Sequence, residues 1–264
     1  MTKKILITGA AGRIAQWILP LLSDDFELIL VDQKSGEMGG REILPLDITN
    51  YADVLAAMQG VDAVVHLAIC SGRDYVTNNE LFQADEGEEY LRFNEASIDV
   101  NVRGSYHIFE AARAAGVKRV VFGSSLTVLL GQPAYPSFSD ALPIRPSNFY
   151  AVTKLWGEQL GEYFSRRHSM TVYCLRFGNP YPQPSAAKFK AWMSVPPGRR
   201  ASVTFDDLAG SIEAALTVQD GPAFGAYTIV SACDDSLFDC SKASEIGWTS
   251  RTFCEVNGDI TPIP

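Results

Sequence analysis

The chain has 264 residues, 47% of them hydrophobic, which supports a sizeable buried core and excludes a disordered chain. Its 31 acidic residues against 22 basic ones, with no Lys/Arg cluster, exclude a nucleic-acid phosphate backbone as partner. Apolar runs are strand-sized, no signal-peptide pattern precedes the first strand, and Cys70, Cys174, Cys233, Cys240 and Cys254 lack C-x-x-C spacing, so free thiols, no metal and a cytoplasmic protein are expected.

Lys4 to Thr8 is a β-branched and aliphatic run, read as a buried parallel strand. It enters Gly9-Ala-Ala-Gly12-Arg13-Ile14-Ala15 and a helical pattern reaching Leu22. Such glycines let the backbone turn tightly and bring a pyrophosphate to the helix N-terminus, whose unpaired N–H groups favour anions. The strand Glu27 to Val31 then ends at Asp32, about twenty residues beyond the glycines, where a carboxylate accepts from an adenosine ribose. An acid there repels a 2′-phosphate, so NAD is expected over NADP, with Lys34 moderating the preference.

Further along, strands are expected over Ala63 to Leu67, Arg119 to Gly123, Thr171 to Phe177 and Ala226 to Ser231. Helices are expected over Tyr51 to Met58, Ala96 to Ala115, Phe149 to Arg167 and Asp206 to Val218. This alternation predicts an α/β fold, a Rossmann-type doubly wound parallel sheet with ligands at the carboxyl ends of its strands. One domain is expected, residues 1–177 mainly binding the dinucleotide and residues 178–264 forming a small C-terminal substrate lobe plus a late sheet strand. Two segments break the alternation. Asp74 to Glu95 carries seven acids against the single Arg92 and reads as a solvated excursion, either a plain surface loop or a cover for the site. Asn179 to Arg200 is proline-rich, and its Lys188, Lys190, Arg199 and Arg200 either meet an anionic substrate or are solvated.

Chemistry concentrates on Tyr150 and Lys154. Four residues apart on a helix, they share one face, and a cation beside the phenol favours its ionised form. Lowering a tyrosine by roughly three units takes about 4 kcal/mol, within reach of one ammonium plus a cationic cofactor. Among other polar residues, His66 ends an apolar strand and reads as a satisfied core histidine. Asn101 is either a structural bridge or an anchor for water near Lys154. Ser71, past the third strand, either meets a substrate hydroxyl or is a loop serine, and Asp206 and Asp207 are expected to cap a helix.

Strung together, these motifs resemble the extended short-chain dehydrogenase/reductase superfamily, with its NAD-dependent epimerase/dehydratase core, over nearly the whole length. Thr8-Gly-Ala-Ala-Gly12 is similar to the family's phosphate turn, Leu46-Asp47-Ile48 to its adenine-contacting segment, and His66-Leu67-Ala68 to the strand end beneath the cofactor. Asn101-Val-Arg-Gly-Ser105 is similar to its crossover-helix motif. Val121 to Val128 resembles the strand bearing a catalytic serine, which places that role on Ser125. The resemblance implies NAD held by Gly9, Gly12, Arg13, Ile14, Asp32, Asp47, Ile48, Leu67, Ala68, Tyr150 and Lys154, and catalysis by Tyr150 as base with Lys154 and Ser125.

Within the superfamily, Asn148-Phe-Tyr150, Leu175 to Pro184 and Val230 to Asp239 resemble sugar dehydrogenases of the uronate dehydrogenase kind. That likeness implies oxidation of a hydroxyl of a small sugar or sugar acid, with Ser71, Ser125, Leu126, Thr127, Asn179 and Lys188 at the substrate. Where the subgroup carries Asn and His after the serine, this chain has Leu126 and Thr127, and Lys188 stands about where the subgroup's carboxylate-binding arginine falls. Two other activities fit the same fold: a nucleotide-sugar epimerase or dehydratase keeping NAD bound, and an NAD(H)-sensing regulator without catalysis. The resemblance also implies a homodimer through the helices Ala96 to Ala115 and Phe149 to Arg167.

Overall fold

In the computed structural model, residues 2–70, 87–131, 137–181, 202–231, 237–250, 253–256 and 259–262 are described. Eight strands form one sheet: β1 (Lys3–Thr8), β2 (Phe26–Asp32), β3 (Gly36–Met38), β4 (Arg41–Pro45), β5 (Ala63–His66), β6 (Arg119–Ser125), β7 (Thr171–Phe177) and, late in the chain, β10 (Phe224–Ile229). Their order is β10-β7-β6-β5-β1-β2-β4-β3, parallel throughout except for the β3–β4 pair. Strands β8 (Asn179–Tyr181) and β9 (Ser202–Thr204) pair separately, as do β11 (Phe253–Val256) and β12 (Asp259–Pro262). The doubly wound parallel sheet expected from the alternation is present. Strands β3 and β4 were not foreseen, since Gly36 to Pro45 is short and mostly polar.

Among the described residues, six α-helices cover the two faces: α1 (Arg13–Ile18), α2 (Tyr51–Ala57), α3 (Glu88–Ser97), α4 (Ser105–Ala115), α5 (Phe149–His168) and α6 (Phe205–Thr217). Alternation along β1 divides the core: Ile5 and Ile7 pack with Ala15, Ile18, Leu208 and Ile212, while Leu6 packs with Val54, Ile108, Phe109 and Phe164. Both faces are therefore apolar, as a central parallel strand requires. The order reverses at β1, flanked by β2 and β5, the kind of switch point at whose carboxyl ends open α/β sheets bind ligands.

Two local features differ from the expected helices. Ile98–Gly104, between α3 and α4, is wound as π-helix, and Asn101 lies buried within it. At α6 the cap is Thr204, whose hydroxyl accepts from the Asp207 amide at 3.2 Å; Asp206 and Asp207 sit in the first turn, where the helix dipole favours acids. Helix α5 starts at Asn148, whose Oδ1 accepts from the Ala151 amide at 2.8 Å, and lies unusually close to the sheet. A Cβ at Gly157 would stand 2.1 Å from the Phe122 ring, so only glycine allows that approach.

Candidate active site

The dinucleotide side is built from backbone. Gly9 turns with φ of +75°, and a Cβ there would lie 2.6 Å from the Ala68 nitrogen. The turn is thus pressed against Leu67 and Ala68 at the end of β5, and the Leu67 amide donates to the Thr8 carbonyl at 3.2 Å. Gly12 precedes α1 as an N-cap without a side-chain hydrogen bond, at the helix end whose dipole favours an anion. A turn that admits no Cβ at Gly9, set at the N-terminus of a helix, fits a pyrophosphate. Asp32, at the end of β2, accepts from the Ala11 amide at 3.1 Å through Oδ2 and from the Lys34 amide at 3.0 Å through Oδ1. Its carboxylate therefore fixes the glycine turn.

Asp47 and Ile48 follow β4. Asp47 accepts from the Thr49 amide and hydroxyl at 2.9 and 2.8 Å, and Ile48 is buried, its side chain against Gly104 and its carbonyl 3.1 Å from His107 Nδ1. His66 is a satisfied core histidine: Nδ1 lies 2.7 Å from Thr8 Oγ1 and Nε2 3.1 Å from Ser105 Oγ. Thr8 Oγ1 also accepts from the Ala68 amide at 3.3 Å, which ties the histidine to the backbone just past β5. Burial, helped by Lys154, pushes His66 down to about 3, so it stays neutral.

On the catalytic side, β6 and α5 bring Ser125, Tyr150 and Lys154 together. Ser125 hydrogen-bonds the Tyr150 phenol. Lys154 Nζ donates to the Gly123 carbonyl at 2.6 Å and lies 5.7 Å from the centre of the Tyr150 ring. Burial is the larger influence on both groups: it pushes the phenol well above its ordinary value, opposed by the Ser125 hydrogen bond, and pushes Lys154 down to about 7. The lysine was expected to lower the phenol; among the chain's own groups Ser125 does so, because the ammonium is drawn to a backbone carbonyl. Thr127 Oγ1 donates to Ser125 Oγ at 2.9 Å, and Leu126 is 2% exposed in a small apolar cluster with Val230 and Phe238. Asn179 is exposed in β8. Ser71, Lys188 and most of the acidic segment lie outside the described residues.

Asn101 is a bridge: Oδ1 accepts from the Cys70 amide at 2.8 Å, and Nδ2 donates to Thr153 Oγ1 at 3.1 Å, joining the end of β5 to α5 between Tyr150 and Lys154. The sequence reading missed a buried set beside the pair, Asp140, Glu158 and Arg176, joined at 2.7 to 3.0 Å. Only Glu158 had a visible signal, four residues beyond Lys154 on the same helical face. None of the described helices is long and apolar enough to cross a membrane, and no His/Cys/Asp/Glu cluster suited to a metal occurs among the described residues.

The chain is 26% identical to a uronate dehydrogenase of Pseudomonas syringae pv. tomato, over 99% of this chain and 87% of that one. It is 29% identical to an L-arabinose 1-dehydrogenase (NAD(P)(+)) of Haloferax volcanii, over 66% of each. The crystal structure of uronate dehydrogenase from Agrobacterium tumefaciens superposes with a TM-score of 0.74 at 25% identity, covering 94% of this chain and 84% of that one. Residues 5–191 match the model of the NAD dependent epimerase/dehydratase family. With the glycine turn, Asp32 and the Ser125–Tyr150–Lys154 cluster in the places described, the chain belongs to the NAD dependent epimerase/dehydratase family.

Proposed function

We propose that this chain is an NAD-dependent dehydrogenase that oxidises a hydroxyl of a small sugar or sugar acid, the anomeric hydroxyl to a lactone. The observation that carries the reading is the meeting of Ser125, Tyr150 and Lys154 at the end of β6, beside the crevice that the glycine turn opens. Similarity to uronate and arabinose dehydrogenases along most of the chain supports the substrate class.

When bound, NAD would supply the hydride acceptor and a positive charge. Gly9, Gly12 and the first turn of α1 would hold its pyrophosphate, Asp32 its adenosine ribose, and Lys154 its other ribose. Ser125 bonds the reacting oxygen, its own oxygen oriented by the Thr127 hydroxyl. Tyr150, ionised once the cofactor's cation is bound, would take the hydroxyl proton as the C–H leaves as hydride, a contribution of typically 10²- to 10⁴-fold, and the rest comes from alignment. Lys188 is assigned to an acidic group of the substrate.

Exposed Ile98, Tyr106, Val152, Trp156 and Tyr163 lie on the π-helical segment, α4 and α5. They support a homodimer through these helices, and the free thiols of Cys70, Cys174 and Cys240 support action in the reducing cytoplasm. The test is a screen of aldoses, uronates and sugar phosphates with NAD, following NADH absorbance, on protein whose mass is read by light scattering. A dimer that forms NADH with uronates or aldoses is expected, with Tyr150→Phe retaining less than about a tenth of kcat. No NADH with any sugar would defeat the reading.

A further inference from the structure

Three consecutive residues at the end of β6 meet three successive turns of α5. Ser125 bonds Tyr150, the Gly123 carbonyl accepts from Lys154 Nζ at 2.6 Å, and Ser124 Oγ donates to Glu158 Oε1 at 2.6 Å. Tyr150, Lys154 and Glu158 are spaced by four and share one helical face. The first two contacts involve groups that act on substrate and cofactor; the third does not. Glu158 is gripped from its other side by Arg176 of β7, whose Nε donates to Oε1 at 2.9 Å and Nη2 to Oε2 at 2.7 Å. Arg176 Nη1 donates to Asp140 Oδ1 at 3.0 Å. Asp140, on the segment leading into α5, closes the chain on β10: it accepts from the Thr228 hydroxyl at 2.7 Å and the Thr228 amide at 2.9 Å. The three charged side chains are 2 to 4% exposed.

Holding α5 against the sheet does not need these charges. Apolar contacts along Leu160 and Phe164 and the close approach at Gly157 already do so, and buried ion triads are often replaceable by neutral groups without loss of stability. What apolar packing lacks is direction. A bidentate guanidinium–carboxylate pair with a serine on the same oxygen resists sliding along the helix axis, because a shift of one ångström breaks three bonds together.

We propose that Asp140, Arg176 and Glu158 form a positioning clamp that fixes the axial register of α5 on β6, so that Tyr150 and Lys154 meet Ser125 and the Gly123 carbonyl, and that ties this register to β10. What Tyr150 and Lys154 do in that register rests on the dehydrogenase reading; the clamp itself does not. Glu158 has a second effect. The groups facing Lys154 are Tyr150 and Glu158 on its own helix, Cys174 on β7, the Phe122 ring on β6 and neutral His66 on β5, and Glu158 is the carboxylate among them that favours the ammonium.

The test removes the charges together, so that no buried ion is left alone: Asp140→Asn, Arg176→Met and Glu158→Gln in one chain. Unfolding temperature and NAD affinity are expected to stay close to the native values while kcat falls on the order of 10²-fold, the usual result of a misplacement near one ångström. The Lys154 Nζ signal, followed by ¹⁵N NMR, is expected to titrate at lower pH than in the native protein. A second variant, Glu158→Asp, keeps the charge but withdraws it by one methylene; kcat is expected to fall with the Lys154 titration near its native pH. Native-like kcat in the triple variant would overturn the clamp, and if that variant does not fold, native-like kcat in Glu158→Asp does the same. Should the native protein turn over no sugar, the dehydrogenase reading fails separately. A crystal structure of the triple variant then decides: Tyr150 and Lys154 unmoved against Ser125 and the Gly123 carbonyl overturn the clamp, and α5 displaced along its axis upholds it.

Discussion

The half of the sheet around β1, β2 and β4 and the half around β6, β7 and β10 are held by different forces. In the first, ion pairs such as Lys4–Glu27 and Arg41–Asp24 lie on the surface, and the site is shaped by backbone: a left-handed glycine, a helix N-terminus without a side-chain cap and one partly covered carboxylate. In the second, Lys154, Glu158, Arg176 and Asp140 are all buried, and their charges are matched by one another and by backbone carbonyls and amides. Binding a dinucleotide needs shape and a fixed dipole, which backbone supplies at little cost in desolvation. Moving a proton needs ionisable groups in a dry place, which burial makes expensive and a network makes tolerable.

The largest effect expected from this contrast is a pair of pH windows. His66, shared between β1 and α4, has its proton affinity lowered from 6.5 to about 3, chiefly by burial, and Lys154 from 10.5 to about 7 by the same cause. In each case the unfolded chain binds the proton over a range where the folded chain does not, so stability rises with pH across that range. For His66 it is lost as pH falls from 6.5 towards 3; for Lys154 it is gained as pH rises from 7 towards 10.5. Each window spans on the order of 5 kcal/mol. Denaturant unfolding of the native protein, His66→Asn and Lys154→Met across pH is expected to flatten the acid window in the first variant and the alkaline window in the second. Parallel curves for native protein and variants would mean that neither group titrates as its burial dictates.

A smaller effect is expected at the glycine turn. Gly9→Ala adds a left-handed L-residue, about 1 to 2 kcal/mol, and forces a Cβ onto the Ala68 backbone, so a loss of roughly 2 to 4 kcal/mol is expected. Weaker NAD binding, read by calorimetry, should accompany it. Unchanged affinity with lowered stability would separate the turn's fold from its ligand.

The same contrast decides how much the sequence discloses. Lys4 to Thr8, the glycines after it, Asp32, and Tyr150 with Lys154 are local patterns, in which spacing alone carries geometry. The parallel sheet follows from them because its central strands are apolar on both faces. Asp140, Glu158 and Arg176 come from three separate elements and meet only when α5 lies on β6 and β7, so no window of sequence contains them. The direction of the Tyr150 shift was illegible for a related reason. Helical spacing places a lysine on the phenol's face, but not the Gly123 carbonyl that draws the ammonium away, nor the depth of burial. Leu126 shows the opposite case: its place in the chain suggests substrate, and its side chain packs against Val230 and Phe238.

The smallest expected effect is cofactor choice at Asp32, where the carboxylate has two tasks. It holds the Ala11 and Lys34 amides, and in the function proposed its charge disfavours a 2′-phosphate. Both oxygens keep a free lone pair for ribose hydroxyls, so the tasks are compatible. Asp32→Asn separates them. The amide oxygen still accepts from one backbone N–H and the side chain keeps its shape, but the charge is gone. We expect kcat/KM with NADP to rise about tenfold, or about 1.4 kcal/mol, with a smaller loss for NAD. Asp32→Ala removes the hydrogen bonds as well and is expected to lower activity with both cofactors while narrowing the gap between them. If Asp32→Asn keeps the native preference, the selection lies in the shape of the turn, and the first half of the molecule discriminates without charge as well as binding without it.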